Sequence, residues 1–409
     1  MDSVRTRIGL NSLNFFIAAV QTGFGPFFSV YLTEMGWRQV DIGLALSIGT
    51  ASVLIFQLPA GALVDAIPQK RFANAVGLVL VGISALLLLA EPTPGPVWTA
   101  QIVHSIGSCV LTPAIAALTL AISGHAAFGE RLGLNARYAS IGNAIAAALL
   151  GALAFYVSNR AVFVATAVLV LPALASLRLF RKSDRVPVDD HPALEHPMKR
   201  WEQNHRPWQI YQEPALHVFA VCIVLFQFAN AAMLPLALNE LAKRTGAAGF
   251  AVSAAIIVPQ IVVAVCSPWV GRLTEAIGRR EILLLGFLAL PIRGLLFVTL
   301  PSAVPLVMMQ VLDGVSATVV GLMTPLMAAD LTRKTGYLNF AISSLGLAAG
   351  IGATFSTTAA GWMADTAGPR TAFFCLAIVG FAAVALIWLL MPETRPVKRL
   401  AEPPATALA

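Results

Sequence analysis

Charge is scarce in this chain: Asp, Glu, Lys and Arg together make up 11% of its 409 residues, where an ordinary soluble domain carries about a quarter. So little charge cannot keep most of the chain in water, and so apolar a composition excludes a disordered chain. Cysteine is scarcer still, at four residues. Cys109, Cys222, Cys266 and Cys375 stand far apart inside apolar stretches, with no C-x-x-C or Cys/His spacing. A secreted disulfide scaffold is therefore excluded, and buried free thiols are expected. There is no Walker A loop, no D-D-x-x-D pair and no H-E-x-x-H pair. These absences argue against an ATP-driven pump, prenyl transfer and zinc proteolysis. No cofactor, no metal and no enzymatic activity are expected.

What is present is apolar. Hydrophobic residues make up 58% of the chain and the mean hydropathy is +0.79. Twelve bilayer-crossing helices of about 20 residues would use about 240 residues, which is close to that apolar share. The net charge of +7 is read as loop charge facing one side of a membrane, with no nucleic-acid partner implied.

Apolar runs of spanning length fall at 10–32, 40–64, 72–90, 97–121, 135–157 and 161–180, and again at 215–238, 249–271, 282–300, 304–329, 339–362 and 371–391. Helices are expected, because lipid offers no partner to an open backbone and no alternating barrel pattern occurs. The first run is too long for the core of a cleaved signal and lacks an A-x-A site, so it is expected to stay as a span. With the N-terminus inside, 21 of the 27 Lys and Arg fall on cytoplasmic segments. Both termini are therefore expected in the cytoplasm.

Residues 181–214 separate the two sets of six spans. The chain divides into an N-terminal six-helix bundle (1–180), a cytoplasmic linker (181–214), a C-terminal six-helix bundle (215–395) and a cytoplasmic tail (396–409). The linker carries Asp189, Asp190, His191, Glu195, His196 and His205, but prolines at 187, 192, 197 and 207 argue against a fixed metal cluster.

The halves repeat at an offset of about 210 residues. Gly61-Ala-Leu-Val-Asp65-Ala-Ile matches Gly271-Arg-Leu-Thr-Glu275-Ala-Ile. Gln21 with Pro26 matches Asn230 with Pro235, Gln101-Ile-Val-His104 matches Gln310-Val-Leu-Asp313, and Arg160-Ala-Val-Phe matches Arg370-Thr-Ala-Phe. Asn135 and Asn339 open the fifth and eleventh spans.

These matches carry a resemblance to the major facilitator superfamily over nearly the whole chain. That family's signature between spans two and three is G-x-L-x-D-R-x-G-R-[KR]. The first copy here keeps Gly61, Leu63, Asp65 and the basic Lys70 and Arg71, but has Ala66 and Pro68 where the signature has Arg and Gly. The second copy, with Gly271, Glu275, Gly278, Arg279 and Arg280, lies closer to it. The resemblance implies an all-α integral membrane protein of 12 transmembrane helices in two pseudo-symmetric six-helix bundles. It also implies a gating role for the two turns, in which an acid at one helix end latches neighbouring helices. The motif says nothing about the substrate.

Polar groups within spans are costly and each needs a reason. Spans one, four, seven and ten line the central cavity in the resembled family. Their polar residues here are Gln21, Gln101, His104, Gln227, Asn230, Gln310 and Asp313, a candidate substrate ring at mid-depth. Asp313 and His104 are its titratable members and the candidates for proton coupling. A second reading pairs Asp313 with Arg293. Both lie roughly 10 Å to 13 Å below the same surface on consecutive spans, and a permanent ion pair would avoid two lone charges in lipid. Gly23-Phe24-Gly25-Pro26 and Thr324-Pro325 are expected to bend cavity helices, and Gly346-x-x-x-Gly350 to permit close approach.

The span-five pattern of drug/proton antiporters (G-x-x-x-G-P) and the span-six ending of sugar porters (P-E-S-P-R) are both missing. Pro392-Glu-Thr-Arg after span twelve does not discriminate among subgroups. The expectation is a monomeric, multi-pass transporter of the bacterial inner (plasma) membrane. It would move a small organic molecule by alternating access, as a proton-coupled exporter. The alternatives are a proton-coupled uptake symporter and, more remotely, a non-transporting receptor on the same fold.

Overall fold

The computed structural model describes residues 4–24, 26–90, 92–180, 207–237, 249–299, 303–333 and 335–394. Among them are 12 helices long and apolar enough to cross a membrane. In chain order the spans are Val4–Glu34, Asp41–Ala66, Lys70–Leu87, Pro94–Ser123, His125–Tyr156 and Asn159–Leu177, then Pro214–Ala237, Ile257–Ala276, Arg279–Val298, Val304–Leu331, Leu338–Ala367 and Pro369–Leu390. Every expected span is present. The linker cluster of acids and histidines before Pro207 lies outside the described residues, as does the tail.

Local chemistry sets the helix ends. Spans four, seven and twelve start with proline in the first turn, where its missing N–H costs nothing. Span six starts on Ser158, whose hydroxyl accepts from the Ala161 N–H at 3.2 Å. The turn between spans eleven and twelve rests on Gly368 at φ +88°, and the one before span nine on Gly278 at φ +138°. Span one is interrupted after Thr22, where its first helix stops, and its second helix starts at Pro26. Thr166 of span six fills the break so closely that a Cβ on Gly23 would lie 2.1 Å from its Oγ1. Pro325, by contrast, sits inside an unbroken helix.

The repeat in the sequence becomes a repeat in the packing. In the first half span one packs on five and six, three on four and six, and two on four; in the second, seven packs on eleven and twelve, nine on ten and twelve, and eight on ten. One apolar core lies in the first half, around Leu10, Phe28, Tyr31 and Phe163, and another fills the second half around Phe219, Phe287 and Phe340 and extends across to Phe128 and Leu132 of the first. Large apolar side chains such as Ile55, Leu149, Trp269, Phe355 and Trp388 stay exposed, as expected of helices solvated by lipid.

Besides lesser contacts of four with eleven and five with ten, two pairs of spans make the main junction between the halves, five with eight and two with eleven. Their closest approaches gather toward the face on which span one begins, called here the N-terminal face. A Cβ on Gly271 would lie 2.4 Å from the Gly129 carbonyl oxygen, and one on Gly133 would lie 2.3 Å from that of Ser267. A Cβ on Gly61 would lie 2.6 Å from the Asn339 oxygen, one on Gly346 would meet Gln57, and one on Gly350 would meet Leu54. Backbone cannot yield as a side-chain tip can. Gly271→Val is therefore expected to weaken this seam by about 1–3 kcal/mol. Thermal unfolding of the purified variant checks it; an unchanged midpoint would mean that the contact contributes nothing.

Candidate functional site

The two signature turns sit at the seam and are wired differently. Asp65 ends span two and reaches across to the other half. Its Oδ1 accepts from the Asn339 N–H (3.1 Å) and Nδ2 (2.6 Å), and its Oδ2 from the Phe340 N–H (2.8 Å). These are first-turn groups of span eleven, which lack partners inside their own helix and favour a negative charge. Lys70 stays within its own half, donating Nζ to the carbonyls of Val64 (2.6 Å) and Ile67 (2.9 Å) at the end of span two. Arg71 donates to the Phe180 carbonyl.

In the second copy Arg279, 1% exposed, is held by Asp330 and Glu275, each at 3.1 Å, and donates to the Thr274 carbonyl at 2.6 Å. Glu393 receives the backbone N–H groups of Arg279 and Arg280 at 3.0 and 3.1 Å. Gly278 leaves room for this carboxylate, since a Cβ there would lie 2.6 Å from Glu393 Oε2. The first copy has Gln69 where the second has Arg279, and residues 118–124, which close span four, carry no acid to match Asp330. Arginine and its acidic partner are thus absent together.

The polar residues expected in a ring fall into two clusters, one in each half. In the first, Gln21 Oε1 lies 3.1 Å from His104 Nε2 and accepts from the Ser108 hydroxyl at 3.0 Å. The Phe24 ring stacks on the imidazole at 4.0 Å between centroids, so the break in span one carries one wall of this cluster. In the second, Arg293 donates one arm to Asp313 and the other to Asn230 Oδ1 at 2.7 Å. Its guanidinium also lies 5.7 Å from the Phe297 ring centre. The ion pair and the neutral amide come from spans seven, nine and ten.

The remaining glutamines are placed differently. Gln310 is fully buried, with its amide turned back to the Leu306 carbonyl at 3.3 Å. Gln101 is buried against Gly49. Gln227 is half-buried in span seven, its Cβ beside Gly352 of span eleven.

A cavity of about 470 Å³ opens between the halves. Spans one, four, five, ten and eleven line it, mainly with Ile17, Leu111, Ile115, Leu132, Pro325 and Ile342. Its polar lining consists of Asn14, Gln21, Thr112, Asn135 and Thr324. Leu132 and Ile342 are chain neighbours of Gly133 and Ser343, which make seam contacts, so the chamber abuts the seam. Of the expected ring, Gln21 lines it directly.

Four residues of this architecture were not singled out from the sequence as site residues. Asn14 and Thr112 are short polar side chains in apolar runs and look like ordinary helix filler. Asp330 had a signal, an acid at the end of span ten beside a basic turn. Glu393 had one in Pro392-Glu-Thr-Arg. No group of three or more His, Cys, Asp or Glu that could hold a metal occurs among the described residues, and the four cysteines are free thiols.

Comparison with known proteins agrees with the duplicated architecture. A family model described as Major Facilitator Superfamily matches residues 10–236 and, a second time, 219–407. Two proteins of Mycobacterium tuberculosis, from strains CDC 1551 / Oshkosh and ATCC 25618 / H37Rv, bear the name uncharacterized MFS-type transporter. Each is 35% identical over 403 residues, covering 95% of this chain and 94% of the relative. Among solved structures, the E. coli fucose:proton symporter FucP superposes with a TM-score of 0.72 at 14% identity, over 95% of this chain and 99% of its own. The human organic anion transporter TETRAN gives 0.69 at 14% identity, over 94% and 99%. These two likenesses are of fold. The family likeness begins in the twin turns at the seam and runs through both halves. The chain belongs to the Major Facilitator Superfamily, as a multi-pass membrane transporter.

Proposed function

We propose that the protein exports a small, uncharged or weakly charged organic molecule across the bacterial inner membrane in exchange for protons, by alternating access to the chamber between its halves. The N-terminal face is then the cytoplasmic one, in line with the Lys and Arg distribution, and the turns at Asp65 and Glu275 gate it. One observation carries the assignment of the proton. Of the two titratable cavity candidates, Asp313 is bound to Arg293, whereas His104 has, among the described residues, the neutral partners Gln21 and Ser108. The Asp313 carboxylate already has a cation as its partner, while an imidazole among neutral groups is open to proton exchange as access alternates. His104 is therefore the carrier and Asp313 the partner of Arg293.

The chamber lining supports the direction. Its walls are mostly aliphatic, which suits a cargo apolar enough to enter the bilayer unaided. Such a molecule crosses inward by itself, so a transporter does useful work on it only outward.

Compounds that accumulate in, or poison, cells lacking the gene would supply the cargo. Adding that cargo to everted vesicles under an imposed pH gradient should then release protons with the wild type. His104→Gln should reduce this release at least about tenfold while leaving cargo-for-cargo exchange measurable. Equal coupling in wild type and His104→Gln would remove His104 from the role, and cargo leaving the lumen of these everted vesicles together with protons would reverse the direction.

A further inference from the structure

The hydrogen-bonding groups around the chamber are unequally spent. Thr112 donates its hydroxyl to the Ser108 carbonyl (3.2 Å) and Thr324 donates to Val320 (2.8 Å). Each has used its single hydrogen and keeps only lone pairs. Asn14 gives an amide hydrogen to the Leu10 carbonyl (2.8 Å), and its Oδ1 receives no hydrogen bond from the described residues. Asn135 gives one to Thr119 (2.8 Å) and its Oδ1 also lacks a partner among the described residues. Gln21 is the exception: its Oε1 is taken twice, by His104 and Ser108, and its Nε2 has no partner among the described residues. Four N–H hydrogens remain, two on Gln21 and one each on Asn14 and Asn135, against unused oxygens on four residues with up to two lone pairs each, that of Asn135 being buried.

Toward the opposite face Asp313 adds a fifth acceptor. It stands eleven positions before Thr324 on an unbroken helix, about three turns away and so on the same side of span ten. Among the described residues only its Oδ1 is engaged, by Arg293, which leaves Oδ2 open, and the side chain is 21% exposed. The guanidinium itself, 1% exposed with both arms committed, is not available to an anion. An unmet acceptor facing a cargo without hydrogens to give is a desolvation cost, and discrimination by such sites is steep.

We propose that the cargo is a hydrogen-bond donor: a non-anionic molecule with an apolar body, whose O–H or N–H groups are received by Thr112, Thr324, Asn14 and, nearer the opposite face, Asp313. This deepens the reading of the chamber as the cargo's path and rests on it.

Matched compounds test it without the natural cargo. Purified full-length protein in lipid nanodiscs would be titrated with a trihydroxystilbene and its trimethoxy analogue, with an aryl amide bearing N–H and its N-methyl form, and with a carboxylated stilbene. The O–H and N–H members should bind, with each capped analogue at least about tenfold weaker and the carboxylate weaker still. Thr112→Val and Thr324→Val, nearly isosteric, should each narrow the gap between members of a pair. Capped members binding as tightly as their parents would overturn the proposal, and so would no binding by any donor-bearing probe. Binding with the expected preference, but no movement of the same compounds in vesicles, would instead overturn the export reading and leave the ligand class standing.

Discussion

Replacing Arg293 with leucine should deplete folded protein almost completely, and replacing Asp313 as well should bring much of it back. Arg293 lies 1% exposed in span nine, between Asp313 and Asn230. Removing one partner of a buried pair costs about 3–5 kcal/mol, because the other charge is left without compensation, whereas replacing both by apolar residues of similar size is often neutral. The single changes should therefore lower the ratio of folded to unfolded protein more than about 100-fold, while Arg293→Leu with Asp313→Leu recovers most of that loss. The Nε of Arg293 is buried without a partner among the described residues, so the pair is not fully satisfied and its removal gives up less than ideal geometry would. Asn230→Ala should cost only about 1 kcal/mol. Size-exclusion chromatography of solubilised membranes measures all four. Equal loss in the single and double variants would show that the two charges act independently.

The second large effect belongs to Asp65. Three N–H groups of span eleven converge on its carboxylate, and charge-assisted hydrogen bonds are roughly twice as strong as neutral ones. With Asp65→Ala the first turn of span eleven loses a cap supplied by the other half, at a cost of about 3 kcal/mol to the joined state. That shifts the balance about 100-fold toward a state separated at the N-terminal face. A single cysteine at Ala136, which lines the chamber, reports the shift in a background without the four native cysteines. Maleimide applied from the N-terminal face should label it far faster when Asp65 is alanine, and at an intermediate rate with asparagine. Glu275→Gln should change little, because the charge of Glu275 meets Arg279 within its own half. Unchanged labelling in the Asp65 variants would mean that the seam is held elsewhere.

Both effects were partly legible in the amino-acid order. Span limits follow from long apolar runs bounded by Pro94, Pro214, Pro369 and the turn glycines, and an internal repeat foretells matching helix pairs. Depth along a helix could be counted, which brought Arg293 and Asp313 to one level. What could not be counted was rotation about the helix axis. A helix apolar on every side has no stripe to mark its inward face, so the sequence assigns Gln310 to the cavity and passes over Asn14. Packing does the reverse, turning the first into the core and the second into the chamber. Asp330 was hidden for another reason. Orientation is read from Lys and Arg, and an acid at a span end adds little to that count, although it is what allows Arg279 to be buried.

The seam has two edges made of different material. Along spans five and eight the halves meet through glycine against backbone, with the exposed Arg272–Glu130 pair at 3.7 Å adding little. Contacts of this kind lack direction, so surfaces can slide while staying close. Along spans two and eleven the glycine contacts at Gly61, Gly346 and Gly350 are joined by a carboxylate gripped by three donors that let go together. Under the proposed alternating access, the first edge would serve as a hinge and the second as a bolt. A door so built resists up to a threshold and then swings freely, which places its threshold in one side chain.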